Sequence, residues 1–316
     1  MGTGGEQRLG TIYTVGAFSL WGMLPLYWRL LEHVPAVEIL AHRIVWTAVL
    51  TSLVLLLGRR YRIAALVSDR RLRRGLVVTG ALLGVNWFTY IYAVNAGRVL
   101  DASMGYYINP LVSVLLGTLV LGERLSLLQK AAVLLAAIGV LVITVHYAVV
   151  PWVALVLAGT FGYYGLRKKQ MGLDPLTALT VETTFLAPAG VALIAVLGIT
   201  GAGALASINP ATDLLLVAAG AATALPLYWF AHGARRIPLS RVGFLQYIAP
   251  TFMLLIGVLL FGEPFTGVEA VSFGLIWLAL ALYTASHTPI AKEIEYRIVQ
   301  RIRAYRQSRS EEQAAG

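Results

Sequence analysis

Ten apolar runs, each near the length a helix needs to cross a bilayer, restrict this chain to one class of structure. A hydrocarbon core about 30 Å thick takes roughly 20 residues at ~1.5 Å rise each. The runs cover residues 10 to 28, 36 to 57, 75 to 96, 103 to 121, 128 to 149, 151 to 166, 176 to 198, 212 to 234, 239 to 261 and 268 to 287. Water is absent from the bilayer core, so backbone N–H and C=O groups there must pair within helices. The expected fold is therefore all-α and integral to the membrane, with ten transmembrane helices. Composition agrees, at 58% hydrophobic and 13% charged residues, where a soluble domain is about a quarter charged.

A second run follows the first after a short turn, so the first is expected to stay in the mature chain rather than act as a cleaved signal. The absence of cysteine excludes disulfides, thiolate metal sites and cysteine nucleophiles. The Met-Gly start lacks the Ser or Thr at position 6 that myristoylation prefers.

A net charge of +10 would suit nucleic acid, but its distribution points elsewhere. With the N-terminus in the cytoplasm, 22 of the 25 Lys and Arg residues fall on the inner side. They cluster at Arg8, Arg59 to Arg74, Arg124 and Lys130, Arg167 to Lys169, Arg235 to Arg241, and Lys292 to Arg309. Only Arg29 and Arg98 fall outside, with Arg43 inside a span. The positive-inside rule then makes both termini cytoplasmic.

Shifting the sequence by 140 residues aligns Gly22 with Gly162, Pro35 with Pro175, Tyr107 with Tyr247 and Pro110 with Pro250. Between Tyr107 and Glu123, 8 of 17 positions match their partners, including Gly117/Gly257, Gly122/Gly262 and Glu123/Glu263. Five spans per half force the second half to enter the membrane in the opposite sense, the inverted-repeat plan of many secondary transporters. The expected organisation is a cytoplasmic N-terminus (1 to 9), a first five-helix repeat (10 to 149), an inverted second repeat (150 to 287) and a basic cytoplasmic tail (288 to 316). Ser126 with Gln129 and Thr266 with Glu269 fit capping boxes. Gly122 and Gly262 would end the preceding helices, leaving Glu123 and Glu263 beside the N-termini of the helices that follow.

Pro110 precedes Gly122-Glu123, and Pro250 precedes Gly262-Glu263, by the same spacing. This resembles the drug/metabolite transporter superfamily. Trp21-Gly22 with Pro25 and Tyr27, Ala41-His42-Arg43 with Trp46, Asn86-Trp87, and Tyr106-Tyr107-Ile108-Asn109-Pro110 look more narrowly like the RarD branch of the EamA family. That resemblance implies a permease of the bacterial inner membrane with a central cavity between the halves, the fifth and tenth spans standing more peripheral. The branch includes chloramphenicol-sensitivity permeases, and the resemblance leaves the cargo unnamed.

Ionisable groups inside spans cost about 2.5 to 3.5 kcal/mol each, which singles out Glu38, His42, Arg43 and Glu182 for gating or proton coupling. Glu38 and His42 stand at i, i+4 and can pair, while Arg43, turned ~100° further, needs another partner. A mutually neutralising structural cluster is the alternative. The repeat makes Glu182 the counterpart of His42, but depth separates them by roughly 10 Å along the normal, which assigns them to opposite gates. His42, with an ordinary pKa of about 6.5, is the candidate proton carrier. Trp21, Asn86, Tyr163 and Tyr164 fall near the midplane, with Tyr90, Tyr107, Asn109 and Gln246 within a few turns. Together they could line a cavity for a neutral or zwitterionic organic molecule, although Asn, Gln and Tyr also bond helices to one another in lipid.

Pro25, Pro110, Pro188, Pro226 and Pro250 interrupt spans as kinks or hinges. Trp28 and Trp152 read as interfacial anchors. After Pro289, a stripe of Ile290, Ile294, Ile298, Ile302 and Tyr305 amid arginines predicts an amphipathic helix on the inner leaflet, with Glu293 and Arg297 paired. The five histidines lack metal spacing and no catalytic constellation is visible, so neither an enzyme nor a bound metal or cofactor is expected. A phosphate loop is missing, which excludes a primary pump of that type. A channel fits the inverted repeat less well, and a non-transporting scaffold or receptor stays open. The partners expected are a small-molecule substrate, the lipid bilayer and protons as a coupling ion, with no nucleic acid.

Overall fold

The computed structural model describes residues 3–58, 69–96, 99–147, 152–262 and 265–288, together with 291, 293, 297 and 300. Its described helices are α1 (Thr3–Arg29), α2 (Ala36–Leu57), α3 (Arg70–Asn95), α4 (Val99–Leu119), α5 (Leu127–Tyr147), α6 (Trp152–Met171), α7 (Pro175–Thr200), α8 (Pro210–Arg236), α9 (Leu239–Gln246), α10 (Ile248–Leu260) and α11 (Gly267–Ala285). No strand occurs among the described residues. Eight helices are long and apolar enough to cross a membrane, with Leu239–Leu260 taken as one and Met104–Leu119 in α4 as a shorter apolar segment. The sequence predicts ten. Of the two remaining runs, that of α4 contributes the shorter segment Met104–Leu119 among the described residues, and that of α6 ends at Arg167-Lys168-Lys169, where 16 apolar residues reach only about 24 Å.

Local sequence sets the helix ends. Asp174 and Asn209 accept hydrogen bonds from Thr177 N (3.0 Å) and Thr212 N (2.8 Å), and each is followed by a proline in the first turn, the preferred order at a helix start. Both predicted capping boxes form, around Ser126 and Gln129 and around Thr266 and Glu269. Gly122 and Gly262 adopt φ of +67° and +69°, a left-handed conformation that favours glycine after a helix.

Glu123 departs from expectation. Its carboxylate accepts the backbone N–H of Leu239 at 2.6 Å and of Ser240 at 2.8 Å. It therefore caps α9, in the other half of the chain, rather than the helix that follows it. Glu263 lies outside the described residues. The prolines differ as well: Pro25, Pro110, Pro188 and Pro226 sit inside unbroken helices. Only ahead of Pro250, which lacks an N–H for the carbonyl of Gln246, does a helix break, at Tyr247 between α9 and α10.

The chain divides into two compact units. The larger holds α1 to α4 and α6 to α10. Its core gathers Phe18, Ile44, Leu83, Trp87, Tyr164, Leu179, Leu227, Phe230, Leu239 and Val242, drawn from seven helices. Helices α2 and α8 approach closely at Gly220, where a Cβ would lie 2.5 Å from the backbone carbon of Trp46. Polar contacts join helix ends within this unit. At one end Arg29 lies 4.2 Å over Phe261, His33 meets Thr212 at 3.0 Å, and Tyr27 donates to the carbonyl of Leu215. At the other, Arg236 pairs with Glu6 at 2.9 Å and Lys169 donates to the carbonyl of Ile237 at 2.5 Å.

The smaller unit pairs α5 with α11. Ala132, Ala136 and Gly139 are buried along α5, and Ser272 donates to the carbonyl of Gly139 at 2.5 Å. Small residues with an interhelical hydroxyl are the usual means of close packing in lipid. Of the predicted tail helix, Glu293 and Arg297 are described and pair at 2.8 Å; Ile290, Ile294, Ile298, Ile302 and Tyr305 lie outside the described residues.

Candidate functional site

The ionisable residues of α2 sit in the larger unit. Glu38 and His42 are fully buried and face each other with His42 Nε2 3.8 Å from Glu38 Oε1, too far for a hydrogen bond. Each has a stronger partner. The Trp46 indole donates to His42 Nδ1 at 3.1 Å, which puts the proton of the neutral ring on Nε2. Glu38 Oε1 accepts the Ala204 N–H at 2.6 Å, tying α2 to the segment after α7. Glu38 Oε2 and His42 Nε2 are buried without a hydrogen-bond partner among the described residues.

Arg43 is half-buried and points into the bundle. Its Nε donates to Thr223 of α8 at 3.0 Å. The guanidinium lies 4.9 Å over the ring of Trp28 in α1 and 5.6 Å over that of Trp87 in α3. No carboxylate pairs with it among the described residues. Trp28, read from the sequence as an interfacial anchor, is thus one wall of this aromatic enclosure, its ring lying beneath the guanidinium.

Glu182 of α7 forms a separate cluster. The carboxylate is fully buried and receives Thr79 Oγ1 at 2.5 Å, Tyr164 Oη at 3.2 Å and Lys168 Nζ at 2.7 and 2.8 Å. Lys168 is itself only 4% exposed. The sequence places Lys168 among loop cations; the structure buries it. Tyr164 to Lys168 is an i, i+4 step, so both lie on the helix face turned to Glu182. That spacing was the available signal.

The remaining candidates separate into groups. Trp21 packs against Phe18, Phe161 and Phe230 at centroid distances of 5.3, 5.5 and 5.8 Å, and Tyr164 stacks on Phe230 at 6.1 Å, so a continuous aromatic cluster leads to Glu182. Tyr163 is exposed while Tyr164 is buried, as adjacent helical positions ~100° apart require, so the two do not share one wall. Asn86 donates to the Leu157 carbonyl at 3.0 Å and to Thr160 at 2.9 Å, fastening α3 to α6. Gln246 donates to Ser113 at 2.9 Å, and Tyr247 donates to the carbonyl of Tyr107 at 3.4 Å. The carbonyl oxygens of the Asn109 and Gln246 side chains are buried without a hydrogen-bond partner among the described residues. Tyr90 packs beside Ala93, Val153 and Leu157. Lys168, Trp28, Trp87, Thr79 and Thr223 are the functional-site neighbours that sequence reasoning missed; the two threonines carry no signal in a single sequence. Among the described residues no group of three or more His, Asp or Glu side chains could hold a metal ion.

The sequence profile of the EamA-like transporter family matches twice, over residues 8–145 and 150–285. The uncharacterized transporter YojE of Bacillus subtilis is 48% identical over 286 residues, covering 89% of this chain and 95% of its own. Protein RarD of Escherichia coli is 37% identical over 279 residues, covering 88% and 94%. The chloramphenicol-sensitive protein RarD of Pseudomonas aeruginosa is 32% identical, covering 86% and 92%. A solved crystal structure aligns with a TM-score of 0.70 at 21% identity, covering 90% of this chain and 99% of its own, which shows a shared fold.

Proposed function

Because the chain belongs to the EamA-like transporter family, we propose that it moves a small organic molecule across the bacterial cytoplasmic membrane by alternating access between two inverted five-helix repeats. The ten spans would place both termini in the cytoplasm. The family profile recurs once in each half, which supports the duplication. So do the packing partners, which map onto one another under the 140-residue shift. The contact of α1 with α8 corresponds to that of α6 with α3, that of α2 with α8 to that of α7 with α3, and that of α4 with α6 to that of α10 with α1. The end contacts agree as well: Arg29 with Phe261 and Glu38 with Ala204 join ends assigned outside, while Glu6 with Arg236 and Lys169 with Ile237 join ends assigned inside.

The observation that carries the transport reading is the contrast between the two polar clusters of the larger unit. On the side assigned to the cytoplasm, Trp21, Phe161, Phe230 and Tyr164 pack ring to ring onto a saturated Glu182–Lys168 pair. On the other side, Arg43, Glu38 and His42 retain unused hydrogen-bonding groups. A bundle packed with rings on one side and holding spare polar groups on the other suits a carrier whose cargo binds nearer the outer side. Glu182 then serves the inner gate, and Glu38, His42 and Arg43 the outer. His42, whose Nε2 lies 3.8 Å from Glu38 Oε1, is the candidate carrier of a coupling proton, taken up at Nδ1 when the Trp46 N–H lets go of it. Trp21, Tyr90, Tyr107 and Asn109 line the substrate path, while Asn86, Tyr164 and Gln246 hold the helices around it; Tyr163 is the candidate with least support.

Two measurements test this. Single cysteines at Ser68 and Ser207 should be labelled from opposite sides of the membrane by an impermeant reagent, and labelling from one side would overturn the inverted repeat. Purified protein should gain thermal stability from at least one member of a panel of amino acids, nucleosides, amines and chloramphenicol. A panel without any stabilising compound would favour a non-transporting scaffold.

A further inference from the structure

Resting on the transport proposal, we infer that the cargo carries a carboxylate and that Arg43 is the residue that binds it. Arg43 lies inside α2, with neighbours on three other helices: Trp28 of α1, Trp87 of α3 and Thr223 of α8. It therefore faces the interior of the larger unit rather than lipid. A guanidinium has five N–H donors. One is used, Nε toward Thr223 at 3.0 Å; the four on the terminal nitrogens have no protein acceptor among the described residues.

The surroundings hold the group without neutralising it. Two indole faces at 4.9 and 5.6 Å stabilise a cation by its charge and orient its plane, but they accept no in-plane hydrogen bond. The nearest acid along the helix, Glu38, forms no ion pair with Arg43: its Oε1 accepts the Ala204 N–H and lies beside His42. Such an arrangement leaves a flat, oriented fork of donors whose natural complement is a two-oxygen anion, bound bidentately. One positive charge calls for one negative charge. A phosphate dianion would require a second cation, and Lys168, the other cation buried in this unit, is committed to Glu182. A neutral amide cargo would leave the guanidinium desolvated and uncompensated. The aromatic walls receive the apolar body of the molecule.

The test uses purified full-length protein in lipid nanodiscs and matched triples of a carboxylic acid, its primary amide and the corresponding amine, built on aliphatic, phenyl and indole skeletons. Thermal stabilisation should come from acids, with the amide and amine of the same skeleton inert. In Arg43→Gln the Kd for a stabilising acid should rise about 30-fold or more, the usual consequence of removing one partner of a buried charge pair, with partial recovery in Arg43→Lys. Should Arg43→Gln fail to fold, the acid-against-amide preference of the native protein decides alone. Amides or amines that stabilise as well as acids, or unchanged acid affinity in Arg43→Gln, would overturn the carboxylate assignment and leave transport standing. Stabilisation by no member of any triple would overturn the carboxylate assignment, and the wider panel of amino acids, nucleosides, amines and chloramphenicol would then decide transport on its own.

Discussion

Replacing Glu182 with glutamine keeps the size of a buried side chain while deleting its charge. Lys168, 4% exposed and 2.7 Å away, would then be a cation enclosed by protein with no counter-ion among its described neighbours. At that distance the attraction is about 6 kcal/mol for an effective dielectric of ~20, and desolvation of the two ions offsets much of it. Breaking one partner of a buried pair nevertheless costs about 3 to 5 kcal/mol, because the survivor's desolvation is no longer compensated. The glutamine amide also turns a donor toward Thr79, Tyr164 or Lys168, all of which now donate to the carboxylate. We therefore expect Glu182→Gln to lose about 3 to 5 kcal/mol in equilibrium unfolding in mixed micelles, followed by tryptophan fluorescence. The double variant Lys168→Met with Glu182→Leu removes both charges and should regain most of that loss. A single variant within about 1 kcal/mol of the native protein, or a double variant no better than the single, would refute the account.

Other substitutions probe other contacts. Gly220→Ala sets a methyl group against the backbone of Trp46 at 2.5 Å, so it should lower stability by about 1 to 3 kcal/mol and broaden the size-exclusion peak; native behaviour would contradict the close approach of α2 and α8. Thr266→Ala removes one half of a capping box and should cost ~1 kcal/mol in the same unfolding measurement, with no change meaning that the box is not formed in lipid. His42→Gln keeps a hydrogen-bonding side chain beside Trp46 without a titrating ring, so reconstituted protein should bind cargo but lose accumulation driven by a pH gradient. Gradient-driven uptake at the native rate would return His42 to a packing role.

Much of this architecture could be read from residue order, because lipid leaves the backbone few choices. The run at 36 to 57 and α2 coincide, and both capping boxes form where Ser126 and Thr266 predict them. Helices extended beyond their apolar runs where polar residues continued them, as α3 does back to Arg70 and α6 on to Met171. Site chemistry was harder to see. Glu38, His42, Arg43 and Glu182 stood out because charge inside a span is costly, yet their partners did not. Thr223 and Ala204 are remote in sequence from the residues they bond, and their types advertise nothing. Lys168 was hidden by company: flanked by two cations near a span end, it resembled a surface charge until the i, i+4 relation to Tyr164 was matched with Glu182 across the helix interface.

The cap that Glu123 places on α9 sets an order of events during synthesis. Glu123 leaves the ribosome 116 residues ahead of Leu239, an interval of roughly 6 to 23 s at ordinary rates of elongation. For that time the end of α4 carries a carboxylate awaiting the two amides it will accept. The same amides, once made, belong to a helix start whose cap residue, Pro238, supplies no side-chain hydrogen bond. The contact of Glu123 with Leu239 and Ser240 can therefore form only once the chain has been extended into α9, and until then the end of α4 waits for a partner made much later.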